Sequence, residues 1–547
     1  MALSPPAAPQ PLPRGCRAVR VALVRCPTVT NVDAFGQDAV PPLGLAYIAG
    51  ALRAAGHHVS AVDAVGEGLD RYTRLDWTPH TLMHGLGPSE IVARVDPEAE
   101  IIGLSCMFSV EWMAVRDLAT ALRRAFPRAV IVLGGEHATA CAEYSLRDCP
   151  AADVCVIGEG EETVVELANA VAAGDGWLHI DGLVFRDGDT LRRTPRRARL
   201  RGLDDIPWPD WSAFPLDDYL ENHLSFGADL GRSMPILASR GCPYQCTFCS
   251  SPQMWTTLWR ARTPSLVLAE MAHHQRRYRV TNFDFYDLTA IVDRKWILAF
   301  TEGMRTSGLD LTWQLPSGTR SEAIDAEVCR ALYGSGCRII NYAPESGSVP
   351  ELRRLKKKVH PARMLDSMRA AHDAGLETKA NFIFGLPDQS WGDVRRTFGF
   401  IARAARAGID HVSAFPFSPY PGSELFERLE RSGRVTLDEG YFKSLLAYTD
   451  PQHSISYTDF IGSRMLSILN LSAIAFFYLV SWTLRPRHAW TLLSQIVRGD
   501  ASTKLTTALR TRRQKRLALK TAKARAVDVV VVPGLRKVGQ PDTERAG

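Results

Sequence analysis

The chain has 547 residues, of which 46% are hydrophobic, so it is too long for one core and has enough apolar residues to fill two or three domains. The formal net charge of +6 gathers near the C-terminus, where basic residues crowd positions 510–525. Such a run is usually a solvated helix face or a loose tail, and less often a contact for an anionic membrane or nucleic acid. Nothing in the near-neutral remainder supports nucleic-acid binding.

The cysteines indicate the compartment. Eleven are present, and the Pro-rich N-terminus lacks the apolar core of a signal peptide. These features predict a reducing, cytoplasmic location rather than a disulfide framework. Cys26, Cys106 and Cys155 lie in apolar, strand-like runs, where a free thiol behaves as a small hydrophobe, so we expect them in the core.

After a flexible tail over residues 1–18, five short apolar runs alternate with helix-length segments. The runs read VRVALVRC, HVSAVDAV, EIIGLSCMF, AVIVLGGEH and DVCVIGEG. Continuous Val, Ile and Leu runs of this length indicate a parallel sheet that is buried on both faces. The pattern predicts a doubly wound α/β domain over residues 19–175.

Residues 176–230 break this rhythm with a hairpin that turns at Asp187 and Gly188, followed by a segment rich in proline and tryptophan. We interpret them as a connector. Over residues 231–430 a second series follows, with the strands MPILASRG, NFDFYD, LTWQLPSGTR, RIINYAPESGS, TKANFIFGLP and HVSAFPFSPYPG. Six strands separated by helices predict a partial (β/α)6 barrel of the TIM type, in which chemistry lies at the C-terminal strand ends.

The C-terminal part is predicted to hold a mostly helical region over residues 431–500 and a basic, disordered tail over 501–547. Segment 465–484 carries no formal charge over a length that would just span a bilayer, but Asn470 and several serines lower its hydrophobicity. Burial against the barrel, docking at a membrane interface and a true span are all compatible with this composition. A peripheral membrane contact is therefore one expectation.

Three cysteines, Cys242, Cys246 and Cys249, lie close together on the loop after the first barrel strand. A structural zinc would need a fourth Cys or His at short spacing, and none lies nearby. A disulfide would strand one thiol in a reducing compartment. Iron–sulfur clusters are held by thiolates, usually four for a cubane, so three would leave one iron open to a small molecule.

This spacing, CxxxCxφC with the aromatic Phe248 before the last cysteine, resembles the signature of the radical S-adenosylmethionine (radical SAM) enzymes. In that superfamily a partial (β/α) barrel carries a 4Fe-4S cluster on the loop after its first strand. The resemblance implies that S-adenosylmethionine binds the open iron and is cleaved by one electron to a 5′-deoxyadenosyl radical. Because such clusters work at low potential, an external electron donor of the flavodoxin or ferredoxin type is also implied.

Other barrel strand ends match the superfamily's contacts to S-adenosylmethionine. A guanidinium offers a planar fork for the methionine carboxylate, which favours Arg320. Simpler alternatives are a surface ion pair for Arg320, a rim carboxylate for Glu345 and a plain turn for the GLP segment. The resemblance implies contacts at Phe248, Arg320, Glu345, Ser346, Gly347, Gly385 and Pro387.

A doubly wound domain ahead of such a barrel resembles the cobalamin-binding branch of the superfamily. Segments 41–59, 103–108, 133–138 and 158–163 match it in order, so the resemblance covers about residues 19–430. Glycines after a strand let backbone approach a flat ligand, and a serine at a strand end can donate a hydrogen bond. The implied cobalamin contacts are Pro42, Leu43, Gly44, Ser105, Gly134, Gly135, Glu136, His137, Gly158, Glu159 and Gly160.

One part of the cobalamin pattern is missing. Domains that ligate cobalt from below carry DxHxxG after the first strand, but residues 27–56 contain no histidine. His57 and His58 come only at the start of the next strand, where turn or core roles are favoured, and His137 is expected to touch the corrin rather than cobalt. We therefore expect cobalt without a protein imidazole below it, a state that favours giving away a methyl group.

The two cofactors together resemble the class B radical SAM methyltransferases, a group related to hopanoid methylases and the anaerobic magnesium-protoporphyrin ester cyclase. The resemblance implies methyl transfer from S-adenosylmethionine, via methylcobalamin, to an unactivated carbon, less often phosphorus, of a small or lipid-like substrate. The alternatives are a radical cyclisation or rearrangement in secondary or tetrapyrrole metabolism, and a non-catalytic cobalamin or redox sensor. A sensor would predict a degraded barrel rim, whereas these rim motifs are intact.

Candidate base or quencher residues are Asp287, Tyr286 and Tyr420, each equally compatible with a passive wall position.

Overall fold

The computed structural model describes residues 17–34, 39–78, 80–200, 202–448 and 454–487, and then 489–490, 494, 497, 506, 509, 511–513, 515–517, 519–520 and 529–531. Most of the predicted N-terminal tail and much of the predicted C-terminal tail therefore lie outside the described residues.

The first domain is built on a seven-stranded sheet in the order β10-β9-β8-β7-β6-β1-β3, in which β3, β1, β6, β7 and β8 run parallel. This confirms the doubly wound domain. The predicted hairpin, β9 and β10, extends the same sheet in antiparallel fashion instead of belonging only to a connector. The elements are β1 Arg20–Arg25, β2 Thr28–Asn31, α1 Leu43–Ala54, β3 His58–Asp63, β4 Arg71–Arg74, β5 Thr81–His84, α2 Pro88–Arg94, β6 Ile101–Ser105, α3 Trp112–Ala125, β7 Val130–Gly134, α4 Glu136–Ala140, α5 Ala142–Asp148, β8 Val154–Val156, α6 Glu161–Ala173, β9 Leu183–Asp187 and β10 Thr190–Arg193.

The second domain is an open, all-parallel, six-stranded arc in the order β11-β14-β15-β16-β17-β18, as predicted for a partial barrel. A short antiparallel ribbon, β12 with β13, frames the loop that carries the cysteines. The elements are α7 Leu216–Glu221, β11 Ser233–Ile236, β12 Ser239–Arg240, α8 Ser251–Trp255, β13 Arg260–Ala261, α9 Pro264–Tyr278, β14 Asn282–Phe285, α10 Arg294–Thr306, β15 Thr312–Thr319, α11 Ala326–Gly334, β16 Cys337–Glu345, α12 Val349–Arg354, α13 Pro361–Asp373, β17 Glu377–Phe384, α14 Trp391–Arg406, β18 His411–Pro416 and α15 Glu424–Arg431.

The C-terminal region contains α16 Glu439–Ser444, α17 Ser463–Leu484 and β19 Val529–Val531. Among the described residues, α17 is the one helix long and apolar enough to cross a membrane. One of its faces packs on α14 and β18, and the opposite face exposes Ile468 and Leu479. Burial against the barrel thus accounts for part of this helix.

The described residues near the C-terminus contact the first domain. Arg512 and Arg516 donate to Asp33, and β19 pairs with β4 in a small antiparallel sheet of order β19-β4-β5-β2 that the sequence did not predict. The basic stretch is therefore held by an acidic partner at these positions, which differs from the predicted free tail.

Candidate functional site

The loop between β12 and β13 brings Cys242, Cys246 and Cys249 to the wall of a cavity of about 350 Å³ at the C-terminal end of the barrel. Gly241 starts this loop with φ +87°, where a Cβ would clash with the carbonyl oxygen of Leu258. Burial raises the pKa of each thiol, to about 12 for Cys249. Thiols in such surroundings become thiolate ligands when a metal displaces their protons.

The cysteines are spread along this wall. Within the described part of the chain, no three His, Cys, Asp or Glu side chains converge closely enough to hold one metal ion. A cubane suits the arrangement, because its thiolates bind separate iron atoms. The donor set therefore fits a 4Fe-4S cluster that keeps one iron for a further ligand.

Cationic side chains line the same cavity. Arg320 stacks on Tyr244, with its guanidinium carbon 3.4 Å from the ring centroid, and its Nη2 donates to Glu322 at 2.6 Å. Its buried Nη1 has no hydrogen-bond partner among the described residues. The Nζ of Lys357 donates to Glu345 at 3.0 Å. An unpaired guanidinium N–H beside a second cation suits an anionic ligand such as the methionine carboxylate.

Lys357 lines the first cavity, a position that its sequence does not predict. It stands in the run KKKVH after α12, which looks like a solvated basic face, yet its side chain is buried beside the Phe248 ring. Burial alone would lower the pKa of Lys357, but the charges of Glu345 and Cys246 outweigh it, so the pKa is raised. The available signal was that this run follows the fourth barrel strand, β16, after one short helix.

Four residues predicted to contact S-adenosylmethionine lie elsewhere: Ser346, Gly347, Gly385 and Pro387. Ser346 hydrogen-bonds Thr397 of α14, and a Cβ on Gly347 would clash with Phe400 of the same helix. Gly385 packs against α17, and Pro387 lines a separate small pocket. Ser346, Gly347 and Gly385 thus pack against helices, while Phe248, Arg320 and Glu345 line the cavity.

A second cavity, of about 310 Å³, lies between the C-terminal edge of the first sheet and the barrel. The barrel side includes Arg240, Trp255, Tyr286 and Leu288. The predicted cobalamin residues that line it are Leu43, Gly44, Ser105, Gly134, Gly135, Glu136, Gly158, Glu159 and Gly160. Pro42 and His137 are not part of its wall.

The shape of this wall suits a flat ligand. A Cβ added to Gly44 or Gly134 would meet no atom of the described residues within 4 Å and would point into open space. Gly135 adopts φ +119°, where a Cβ would clash with the Cys106 carbonyl, so the backbone turns tightly behind the cavity. Leu23, Val132 and other strand residues supply an apolar floor, and together these features fit a corrin.

His137 is a core residue in this structure, which corrects its expected position at the corrin. Its Nδ1 pairs with the Ser109 hydroxyl at 2.9 Å and its Nε2 with the Ser145 hydroxyl at 3.2 Å, while the ring stacks on Trp112. Burial lowers the pKa of His137 to about 3, so the ring stays neutral. Among the described residues, no histidine lines the second cavity.

The three candidate base or quencher residues lie in different places. Asp287 is buried away from both cavities, and its carboxylate accepts hydrogen bonds from the backbone N–H groups of Ala238 and Ser239 and from the Ser239 hydroxyl. Burial raises the pKa of Asp287 to about 6. Tyr286 lines the second cavity and Tyr420 the first. Asp287 therefore holds the strand before the cysteine loop in place.

A buried ion cluster joins the two domains beside the cavities. Arg240, two residues before Cys242, donates to Glu161 at 2.6 Å and to Glu159 at 3.3 Å, and it lies over the Tyr47 ring. Arg199 closes the group by donating to the other oxygen of Glu159 at 2.6 Å. Glu159 thus lines the cavity, and each of its carboxylate oxygens accepts a hydrogen bond from an arginine.

The two cavities are neighbours. Leu288, on the loop after β14, lines both of them. The Ser250 hydroxyl, on the wall of the first cavity, donates to Glu136, on the wall of the second. A molecule at this boundary would contact both cavities at once.

Family models match the chain in two places. The B12 binding domain matches residues 31–168, and the Radical SAM superfamily matches residues 236–401. These ranges coincide with the two domains that carry the second and the first cavity, respectively.

Curated relatives and a solved structure extend the similarity. An uncharacterized methyltransferase of Pyrococcus horikoshii is 29% identical over 411 residues, covering 75% of this chain and 83% of the relative. The cytidylyl-2-hydroxyethylphosphonate methyltransferase of Streptomyces wedmorensis is 28% identical over 444 residues, covering 74% and 80%. The structure of the radical S-adenosylmethionine methyltransferase TsrM from Kitasatospora setae, with cobalamin and a 4Fe-4S cluster bound, superposes with a TM-score of 0.58 at 16% identity, covering 78% and 77%.

Proposed function

Because the chain belongs to the radical SAM enzymes that carry a B12-binding domain, we propose that it transfers a methyl group from S-adenosylmethionine to an unactivated carbon of a small or lipid-like substrate. The cofactors of this family are a 4Fe-4S cluster, S-adenosylmethionine and cobalamin. The observation that carries the proposal is that Leu288 lines both cavities, so the two cavities adjoin. They must adjoin because the methyl donor and the radical have to reach one substrate carbon. Relatives named as methyltransferases support it.

When bound, the cluster with S-adenosylmethionine supplies a 5′-deoxyadenosyl radical, and cobalamin supplies the methyl group. The chain's own residues bind and orient these groups. Cys242, Cys246 and Cys249 hold the cluster, and Arg320 with Lys357 receives the methionine carboxylate. Gly44 and Gly134 leave room for the edge of the corrin.

Two further expectations belong to this proposal. A low-potential donor of the flavodoxin or ferredoxin type delivers the electron in the cytoplasm. A peripheral membrane contact through the exposed face of α17 would suit a lipid-like substrate, and it stays a prediction.

The proposal can be tested with methyl-labelled S-adenosylmethionine. Reconstituted protein and reductant are incubated anaerobically with a metabolite extract from cells that lack this chain. We expect one metabolite to gain the label and a CH₂ increment with the wild-type protein but not with Cys246→Ala. Absence of any labelled metabolite, despite formation of 5′-deoxyadenosine, would instead favour the cyclisation alternative.

A further inference from the structure

Leu288 marks the apolar side of the boundary between the two cavities. It is 41% exposed, although it lies deep between two domains, because both cavities leave its side chain uncovered. The preceding Asp287 accepts hydrogen bonds from Ala238 and Ser239, so the Leu288 backbone is fixed relative to the cysteine loop. A large apolar side chain held in this place is positioned to contact a bound molecule.

Glu136 marks the polar side of the same boundary. One carboxylate oxygen accepts a hydrogen bond from the Ser250 hydroxyl, and no other hydrogen bond to this carboxylate is present among the described residues. Burial raises the pKa of Glu136, although the Ser250 bond acts in the opposite direction. The second carboxylate oxygen of Glu136 is thus available to a ligand between the cavities.

Among the described residues, the arginine and lysine side chains named at the two cavities each pair with an acidic side chain other than Glu136. Arg240 and Arg199 are paired with Glu159 and Glu161, so the charges of these two arginines and two glutamates cancel. Lys357 and Arg320 are paired with Glu345 and Glu322 at the first cavity, where the proposed function gives them the methionine carboxylate as a further partner. The boundary therefore carries the uncompensated charge of Glu136, which attracts a hydrogen-bond donor and repels an anion.

We propose that the methyl acceptor binds between Leu288 and Glu136, and that it is a largely apolar molecule bearing an ammonium or hydroxyl group. This inference rests on the proposed function, whose acceptor it describes. An anionic acceptor, such as a phosphonate, is disfavoured because it would place a second negative charge beside Glu136. Carbon is accordingly the methylated atom rather than phosphorus.

Four probes that share one octyl chain test this site: octylamine, octan-1-ol, octyl methyl ether and octylphosphonate. Their binding to the anaerobic holoprotein is measured by titration calorimetry. We expect octylamine to bind most tightly, octan-1-ol next, the ether more weakly and octylphosphonate least. Glu136→Gln should weaken octylamine about tenfold or more, because glutamine lacks the negative charge. The ether should bind unchanged, because it has no N–H or O–H to donate to the carboxylate.

Two matched variants complete the test. Glu162→Gln removes the same charge from an exposed position in the same domain and should change no affinity. Leu288→Ala should weaken octylamine and the ether alike. The inference is overturned if octylphosphonate binds as tightly as octylamine, if Glu136→Gln weakens amine and ether equally, or if no probe binds. Formation of 5′-deoxyadenosine and S-adenosylhomocysteine, measured in parallel, decides the proposed function separately.

Discussion

Arg240 donates to Glu161 at 2.6 Å across the boundary between the two domains, and both side chains are almost fully buried. Arg240 stands at the start of the cysteine loop, and Glu161 begins α6 beside the second cavity. The position of the cysteine loop relative to the first domain therefore depends on a desolvated ion pair.

Removing the charge of Arg240 should be costly. Arg240→Gln leaves Glu159 and Glu161 buried with less compensation, so we expect the free energy of unfolding to fall by about 3–5 kcal/mol. Denaturant titration measures this free energy. It should fall less in Arg240→Lys, which keeps the charge but loses the planar guanidinium. Arg305→Gln, at an exposed pair with Glu302, should leave stability almost unchanged. Equal stability of Arg240→Gln and the wild type would contradict this role.

Lys357 should determine affinity for S-adenosylmethionine. Lys357→Met removes a buried cation from the first cavity, and we expect binding to the reconstituted protein to weaken about tenfold or more. Lys356→Met is the matched control, because the neighbouring lysine is exposed and pairs with Glu424 outside the cavity. Anaerobic calorimetry compares the two, and equal affinities would remove Lys357 from the site.

His137 should contribute to the stability of the fold but should not ligate cobalt. Both ring nitrogens are already hydrogen-bonded in the core, so His137→Ala should lower the unfolding temperature while the absorption spectrum of bound cobalamin stays the same. The wild-type spectrum should lack histidine coordination. A nitrogen-ligated spectrum that disappears in His137→Ala would show that the ring reaches cobalt.

Glu111 should make stability depend on pH. Burial raises its pKa to about 7, against an ordinary value of 4.5. The folded state then binds the proton more tightly than the unfolded state, so stability is fullest below pH 4.5 and is lost as pH rises to about 7, by about 3 kcal/mol in all. Glu111→Gln should become more stable than the wild type across this window. Parallel pH profiles of the two unfolding free energies would contradict this origin.

The sequence predicted the strands of both large sheets, because long Val, Ile and Leu runs between helices are compatible with few structures other than buried strands. It did not predict β2, β4, β5 and β19, which are only three or four residues long. The pairs β19 with β4 and β2 with β5 also join segments that are far apart in sequence. Motif resemblance pointed to the cysteine loop, which lines the first cavity, and most of the residues it assigned to cobalamin line the second. It also selected Gly347 and Gly385, which pack against helices in this structure, because a glycine needed for helix packing looks the same in sequence as one needed for ligand approach.

Charge pairing was also hidden from the sequence. Lys357 and Arg240 stand in ordinary polar stretches, and their importance depends on burial against partners from other elements. Asp287 was one of three candidate base or quencher residues, each equally compatible with a passive position. Only the fold shows that three donors already occupy its carboxylate.

The most direct test of the account is product analysis after anaerobic incubation of the reconstituted protein with S-adenosylmethionine and a low-potential reductant. We predict both 5′-deoxyadenosine, from the cluster cavity, and S-adenosylhomocysteine, from methylation of cobalamin. Cys246→Ala should lose the cluster chromophore and 5′-deoxyadenosine but keep bound cobalamin, whereas Cys141→Ala, outside both cavities, should keep all three. Retention of 5′-deoxyadenosine formation by Cys246→Ala, or its absence from the wild type with both cofactors bound, would contradict the account.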